Sequence, residues 1–368
     1  MTKHTAQLNL MNGNEAVAGA LALSNVQYLP YFPIEPATNI VRALEGNDSG
    51  IKKQYMESTS SAISAAAGAS TQGIRSFTFT GAQALLSSIQ EIRSAASLRI
   101  PLVFANVSRA LPFPNLYASD ESEISLLERT NTILFNASTP QDAMDFTILG
   151  YKISEHKEIQ LPVCVNMDSF LVAESKQNLL IPSPAMINKF LGTKREPKTH
   201  TTRFLTTEEY LKTQLGIEES LNNINVINDA LKKYETETKA KVSIVEDYNA
   251  KQANVVVVTS GATSINAAAA VHELQGKREK IGHLKINLVN PFPSEAVKSL
   301  LRNAEKVIVL ERGMHQMLTG RIQSAFYGGR NPPDICTVTI PPGEKFTTRT
   351  AINGIKKTIK QKNARLML

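Results

Sequence analysis

The side chains of this sequence that could do chemistry sit mostly where short apolar runs end. Arg109 follows the run 101–107 (PLVFANV) and precedes the loop 111–120 (LPFPNLYASD), which two prolines stiffen and which carries Phe113 and Tyr117. A guanidinium fork at such a place suits a planar two-oxygen acceptor such as a carboxylate, and the loop can line an apolar pocket beside it. Pairing with Asp120 at a subunit boundary is the plainer role. Glu35 lies in a turn between Pro33 and Pro36, where charged residues are common because turns are exposed. Thr59, between Ser58 and Ser60, can donate or accept one hydrogen bond but cannot act as an anionic base near neutral pH. Glu57, two positions earlier, shares its face if the segment is extended. Ser260-Gly261-Ala262-Thr263 follows an apolar run as a phosphate turn would, yet it has neither GxGxxG spacing nor a Walker lysine. A tight strand-to-helix turn accounts for it. His315, in RGMHQM, follows another such run, where α/β proteins tend to place sites, although a partner contact or a plain surface position needs less. No two histidines stand at metal-ligand spacing, so no metal site is expected from this chain alone.

The elements that must hold these residues read as parallel α/β structure. The runs 74–80 (IRSFTFT), 101–107, 132–136 (TILFN) and 162–165 (PVCV) are predicted buried strands, with helices over 60–72, 84–97 and 140–156 between them. The 60–72 helix is packed with Ala, Ser and Gly, so another backbone can approach it closely. From 196 to 251 the composition turns to Lys, Glu, Thr and Asn, with a helix start at Thr207-Glu208-Glu209 and a charged, mostly solvated helix over 221–241. Strands then resume at 254–259, 284–289, 306–310 and 335–340. The expectation is a parallel-sheet domain at 1–195, a charged helical linker at 196–251 and a smaller α/β domain at 252–368.

Composition narrows the function classes. The chain has 368 residues, 42% hydrophobic and 20% charged, which describes a globular protein with more than one core. No apolar run reaches the roughly 18 to 20 residues of a membrane span, and residues 1–10 lack an apolar signal core, so a cytoplasmic location and no membrane are expected. The net charge is +7, but Lys and Arg are scattered without aromatic interleaving, which argues against nucleic acid. The densest basic stretch, Lys356-Lys357 to Arg365, reads as a solvated helix face or a docking surface for an acidic partner. Cys164 and Cys336 lie in apolar strand-like stretches and are expected to be buried thiols. Two cysteines cannot hold an iron–sulfur cluster, so any electron-transfer centre must reside on a partner.

Several blocks together resemble the alpha subunits of pyruvate:ferredoxin oxidoreductases, from Gly13 to about Leu310. Gly13-Asn14-Glu15-Ala16-Val17 resembles the family's opening GNEAVA, and Tyr31-Phe32-Pro33-Ile34-Glu35-Pro36 stands where it reads GYPITP. Met56-Glu57-Ser58-Thr59 and the following Ser61–Ala66 stretch resemble VESEHSAISAAIGAS. Thr80-Gly81-Ala82-Gln83 resembles the start of TSSQGL, Ser108-Arg109-Ala110-Leu111 with Asp120 resembles NRAL…ND, and residues 159–170 (IQLPVCVNMDSF) resemble a strand ending in a DGF-like element. The RAL block and the Ser154-Glu155-His156 region favour the pyruvate branch over the 2-oxoglutarate branch.

The resemblance implies an α/β fold with a pyrimidine-type thiamine-diphosphate-binding domain and a transketolase-C-like second domain. It implies thiamine diphosphate shared with a beta subunit, with Mg2+ and [4Fe-4S] clusters on partner subunits. The companions it implies are gamma and delta subunits, a 2-oxoacid substrate, and ferredoxin reached through the complex. It also implies a substrate-carboxylate role for Arg109 and cofactor-facing positions at Glu57, Thr59 and Gln83. Two departures stand out. Thr59 occupies the place of the family glutamate that polarises the aminopyrimidine, and Glu35 the place of a substrate-facing threonine; Glu121 further replaces a histidine. Two readings follow: Glu35 takes over the proton-transfer role from the other side, or the chain is a non-catalytic paralogue acting as a scaffold or regulatory subunit.

Overall fold

A computed structural model of the chain describes residues 7–46, 49–111, 118, 120–192, 205–275, 280–313, 316–329, 332–361 and 365–368. His315 and most of the 111–120 loop lie outside the described residues.

The first part of the chain runs β1 (Gln7–Met11), α1 (Gly13–Leu23), β2 (Tyr28–Tyr31), α2 (Asn39–Ala43), β3 (Lys52–Tyr55), α3 (Thr59–Thr71), β4 (Phe77–Thr80), α4 (Ala82–Ser97), β5 (Val103–Ser108), α5 (Ser122–Glu128), β6 (Ile133–Ala137), α6 (Pro140–Ser154), β7 (Val163–Asp168), β8 (Gln177–Ile181) and α7 (Pro184–Leu191). Strands β4, β5 and β6 are buried at every position. This is the pattern of parallel strands covered by helices on both faces, so burial is continuous along the runs rather than alternating. Pairing is parallel between β4 and β5, β5 and β7, and β6 and β7. Strands β2 and β3 pair in parallel beside them, joined to β4 through a bridge between Tyr28 and Ser76. Strand β4 starts at Phe77 rather than 74 because the preceding residues are tied elsewhere. Arg75 accepts Gln27 N at its carbonyl, and its guanidinium is held by Glu155, Ser24 O and Gly192 O.

Next come α8 (Thr207–Leu221) and α9 (Ile224–Thr238). Helix α8 opens on a capping box between Thr206 and Glu209. Helix α9 is not mostly solvated: Ile227, Ala230, Leu231, Tyr234 and Thr238 are buried, one stripe at helical spacing. Ile227, Leu231 and Tyr234 join the same core as the first sheet, and the Tyr234 hydroxyl donates to Asp145 Oδ1 of α6 at 2.7 Å.

The remainder comprises β9 (Val245–Tyr248), β10 (Val255–Ser260), α10 (Thr263–Leu274), β11 (Ile281–Ile286), β12 (Leu288–Asn290), α11 (Ser294–Leu301), β13 (Lys306–Arg312), α12 (Met317–Phe326), β14 (Asp334–Ile340), α13 (Thr348–Ile359) and β15 (Arg365–Met367). The second sheet has the order β15-β14-β13-β10-β11-β9, with β9 antiparallel to β11. The run expected as one strand over 284–289 divides. Its first half belongs to β11, whereas β12 crosses over and pairs antiparallel with β6 of the first sheet, Leu288 opposite Phe135. Asn290 Nδ2 donates to Thr132 O at 2.7 Å. Ion pairs also tie the second sheet to α6: Lys285 Nζ lies 2.9 Å from Asp142 Oδ2 of α6 and 3.0 Å from Glu246 Oε1 of β9.

Candidate functional site at the strand ends

Strands β3, β2, β4 and β5 run in parallel, so the connections leaving their C-terminal ends lie along one edge. Ligand sites of open α/β sheets form at such an edge. In that order the connections carry Glu57 and Thr59, then Glu35, then Gln83, then Arg109. All five expected site residues therefore share one sheet edge, each on a different stretch of backbone except the Glu57–Thr59 pair. Aromatic rings cluster there: Tyr31 meets Tyr55 edge-on at 6.2 Å, and Phe32 lies 6.5 Å from Tyr55.

The start of α3 fixes Thr59. Ser58 is its N-cap, accepting Ser61 N at 3.1 Å, and its own hydroxyl donates to Ser61 Oγ at 3.0 Å. Ser61 in turn donates to Glu57 Oε1 at 2.6 Å, which holds the exposed Glu57 carboxyl below its ordinary range. Glu57 thus serves the helix start. Thr59 is 2% exposed, and its Oγ1 makes no hydrogen bond among the described residues. The hydroxyls of Ser24, Thr38, Thr78, Thr80, Ser138 and Thr339 are in the same state, so what sets Thr59 apart is its place at the strand edge, where a ligand or another chain can complete the bonding.

Glu35 is exposed and held elsewhere. Its Oε1 lies 2.8 Å from Arg42 Nη2, and Oε2 accepts from Nη1 at 3.4 Å. Pro36, after a cis Glu35–Pro36 bond, offers its carbonyl to Asn14 Nδ2 at 3.2 Å. Glu174 Oε1 gathers Asn14 and Asn39 at 2.9 and 2.8 Å. The GNEAV-like segment thereby pins the turn. Glu35 and Thr59 share the edge but no hydrogen bond among the described residues.

The connections after β4 and β5 are drawn tightly together. A Cβ on Gly81 would stand 2.4 Å from Val107 O, so only glycine permits this approach. Gln83 is exposed in the first turn of α4. Arg109 is half-buried, and its backbone N–H donates to Glu123 Oε1 at 3.1 Å. Asp120 is not its ion-pair partner among the described residues: Asp120 Oδ1 accepts Ser122 N and Oγ at 3.0 and 2.5 Å, turning the chain into α5.

Sequence reasoning missed the buried polar network behind Arg109. Asn106, Asn166 and Asn136 stand in register on β5, β7 and β6. Asn106 Nδ2 donates to Glu123 Oε2 at 2.5 Å and to Asn166 Oδ1 at 2.7 Å, and Asn166 Nδ2 donates to Asn136 Oδ1 at 2.9 Å. Asn136 Nδ2 then reaches Ser260 Oγ at 3.0 Å, and Ser260 donates to Ile286 O. An asparagine inside each of three apolar runs was the available signal. The same bonds explain the 260–263 turn: Gly261 packs so closely on Asn136 that a Cβ would be 2.6 Å from Nδ2. That turn is a contact between the two sheets and needs no ligand.

Glu121 enters α5 with φ of 59°. Burial, with Glu311 and Asp168 nearby, pushes its carboxyl up to about 8, against the pull of Arg312 and a hydrogen bond with Asn136. Glu311 is occupied by Leu318 N at 2.9 Å and Thr319 Oγ1 at 2.5 Å. Both cysteines are free and buried. Among the described residues no group of three or more His, Cys, Asp or Glu could hold a metal ion, and no helix is long and apolar enough to cross a membrane.

Comparison with known proteins gives the family and the fold. Residues 18–247 match the family described as pyruvate flavodoxin/ferredoxin oxidoreductase, thiamine diphosphate-binding, and residues 253–350 match pyruvate:ferredoxin oxidoreductase core domain II. The chain is 31% identical to pyruvate synthase subunit PorA of Methanothermobacter thermautotrophicus over 321 residues, covering 83% of each chain. It is 31% identical to the subunit of the same name from Thermotoga maritima, covering 86% of this chain and 85% of that one. Among solved structures, 2-oxoglutarate:ferredoxin oxidoreductase from Magnetococcus marinus superposes with a TM-score of 0.80 at 20% identity, over 96% of this chain and 65% of that one. A split-gene transketolase, an inactive beta4 tetramer, follows at TM-score 0.61 and 13% identity, over 96% and 99%. With the family profile spanning residues 18–247 and relatives at 31% identity over most of their length, the chain belongs to the pyruvate flavodoxin/ferredoxin oxidoreductase family.

Proposed function

We propose that this chain is the alpha subunit of a pyruvate-type 2-oxoacid:ferredoxin oxidoreductase, which converts a 2-oxoacid and coenzyme A to acyl-CoA and passes electrons to ferredoxin. The chain supplies the pyrimidine-facing half of a thiamine diphosphate site. A beta subunit completes it with the diphosphate grip and Mg2+, the [4Fe-4S] clusters sit on partner subunits, gamma and delta subunits complete the complex, and the assembly works in the cytoplasm. The observation that carries this reading is the shared strand edge, where Arg109 stands on the connection beside the Gly81–Gln83 turn and Thr59 keeps a buried hydroxyl without a partner.

These residues fit the cofactor's neutral face. Thr59 Oγ1 can bond a ring nitrogen, Gln83 can offer an amide, and the rings of Tyr31, Phe32 and Tyr55 can bound the pocket. Thiamine diphosphate, when bound, supplies the nucleophilic carbon and the electron sink for decarboxylation. Arg109 binds the substrate carboxylate, its guanidinium fork matching the two oxygens. No carboxylate of this chain stands at the Thr59 position, and Glu35 is paired with Arg42. That observation favours a second reading, a non-catalytic alpha paralogue that scaffolds or regulates a complex.

The test is reconstitution with the cluster-bearing beta subunit, followed by pyruvate- and coenzyme-A-dependent reduction of ferredoxin or a viologen dye. Turnover that Glu35→Gln abolishes, with assembly intact, supports a relocated carboxylate, and Thr59→Glu is then tolerated or raises the rate. Full activity in Glu35→Gln sinks the relocation. Assembly without turnover of any 2-oxoacid supports the paralogue.

A further inference from the structure

We propose that Glu123 is a positioning residue for 2-oxoacid recognition, its buried carboxylate fixing the backbone from which Arg109 projects. The inference rests on the reading of Arg109 as the carboxylate-binding residue. Glu123 is fully buried. Its Oε1 accepts Ala82 N at 2.5 Å and Arg109 N at 3.1 Å, and its Oε2 accepts Asn106 Nδ2 at 2.5 Å. One carboxylate therefore joins the connections that leave β4 and β5, the two that carry Gln83 and Arg109.

Each of those connections needs an outside partner. Ala82 is the first residue of α4 and takes φ of 51°, and the N-cap, Gly81, has no side chain to serve the helix's free N–H groups. Glu123 does that work from another element. Its own place is over-determined, because Asn106 is locked in turn by Asn166, Asn136 and Ser260.

The donor set explains why the residue is acidic. All three partners are N–H groups, and an ionised carboxylate is an acceptor only. A glutamine would set its own NH2 against at least one of them. Burial pushes the Glu123 carboxyl up to about 7, opposed by the Arg109, Asn106 and Ala82 bonds and reinforced by Asp120. The titratable groups facing it are Asp120 and the Cys164 thiol, and Arg109 reaches it through its backbone N–H. Protonation places a hydroxyl where an N–H now donates, so Arg109 loosens as pH falls through that value.

The experiment uses the assembled complex with pyruvate as the varied substrate. Glu123→Gln is expected to raise KM for pyruvate about tenfold with a much smaller change in kcat. It should also flatten the rise of KM that the wild type shows on acidification below about pH 7. Glu123→Asp, which keeps an acceptor-only group, should keep that pH dependence with an intermediate KM, and it serves if the glutamine variant fails to fold. In parallel, hydrogen exchange on the unloaded chain should show faster exchange at the Ala82 and Arg109 amides in Glu123→Gln, with β7 unchanged. Wild-type KM and pH profile in an active Glu123→Gln complex overturn the proposal. Where the wild-type complex turns over no 2-oxoacid, the functional reading has failed by itself, and unchanged exchange at Ala82 and Arg109 then overturns the clamp as well.

Discussion

Replacing Tyr234 with phenylalanine tests how α9 is tied to the first sheet. The ring stays, packed edge-on against Phe190 at 5.1 Å, and only the hydroxyl that donates to Asp145 Oδ1 at 2.7 Å is lost. Asp145 is then left with Gln141 Nε2, at 3.1 and 3.2 Å from its two oxygens. Burial pushes the Asp145 carboxyl up to about 7, while the Tyr234 and Gln141 bonds pull it down. Its folded value lies above the unfolded value of about 3.9. The folded state therefore holds the proton more tightly, and stability from this group is lost as pH rises through about 7. Removing a donor raises the folded value further, so the variant's deficit must grow with pH. At about pH 5.5 the acid is neutral and the lost bond costs about 0.5 to 1.5 kcal/mol; at about pH 8.5 the carboxylate is charged and the loss is about 1.5 to 3 kcal/mol. At about 2 to 4 °C per kcal/mol the Tm deficit is roughly 1 to 6 °C in acid and roughly 3 to 12 °C in alkali. Thermal scans of both proteins at the two pH values decide it. An equal deficit at both, or a larger one in acid, would refute the account of Asp145.

Two further outcomes follow from contacts between and within the sheets. Lys285→Met leaves Asp142 and Glu246 facing each other without their shared cation, so a loss of about 3 to 5 kcal/mol is expected; thermal unfolding measures it, and added salt should change it little. Gly81→Ala drives a Cβ to 2.4 Å from Val107 O, so β4 and β5 must part at their ends. Faster hydrogen exchange in Thr80–Ala84 and a stability loss of about 1 to 3 kcal/mol are expected; an unchanged Tm would contradict the close approach.

The strand edge was legible because buried parallel strands leave continuous apolar runs, and their ends are then countable. Arg109 could be placed on that ground. Helix α9 was misread because Lys, Glu and Thr dominate its composition, while burial depends on the spacing of only five residues, Ile227 to Thr238. Glu35 gave no sign of Arg42, seven residues on, since a turn and a short helix had to bring them together. Glu123 was hidden by its position: an acidic residue in a helix's first turn is what the helix dipole alone would select. Its real partners stand on the connections that leave β4 and β5, more than a dozen residues away, and local pattern carries no trace of them. The division of 284–289 escaped for a related reason, because one apolar run does not say which sheet each half will join.

That crossing has a consequence for how the molecule can be taken apart. Strand β12 covers the outer edge of β6, pairing Leu288 with Phe135 and Asn290 with Leu134, while Asn136 N donates to Asn287 O. A fragment ending near residue 251 would keep most of the core around the first sheet, but it would lose Ala262, Leu288 and Val289 from that core and the sheet's last strand. The bared edge of β6 reads ILFNA, apolar and uncharged, with none of the lysines, prolines or bulges by which natural sheets keep their margins from recruiting strands of other molecules. The segment that follows β11 thus guards the first sheet's margin, and a cut between the two sheets leaves that margin bare.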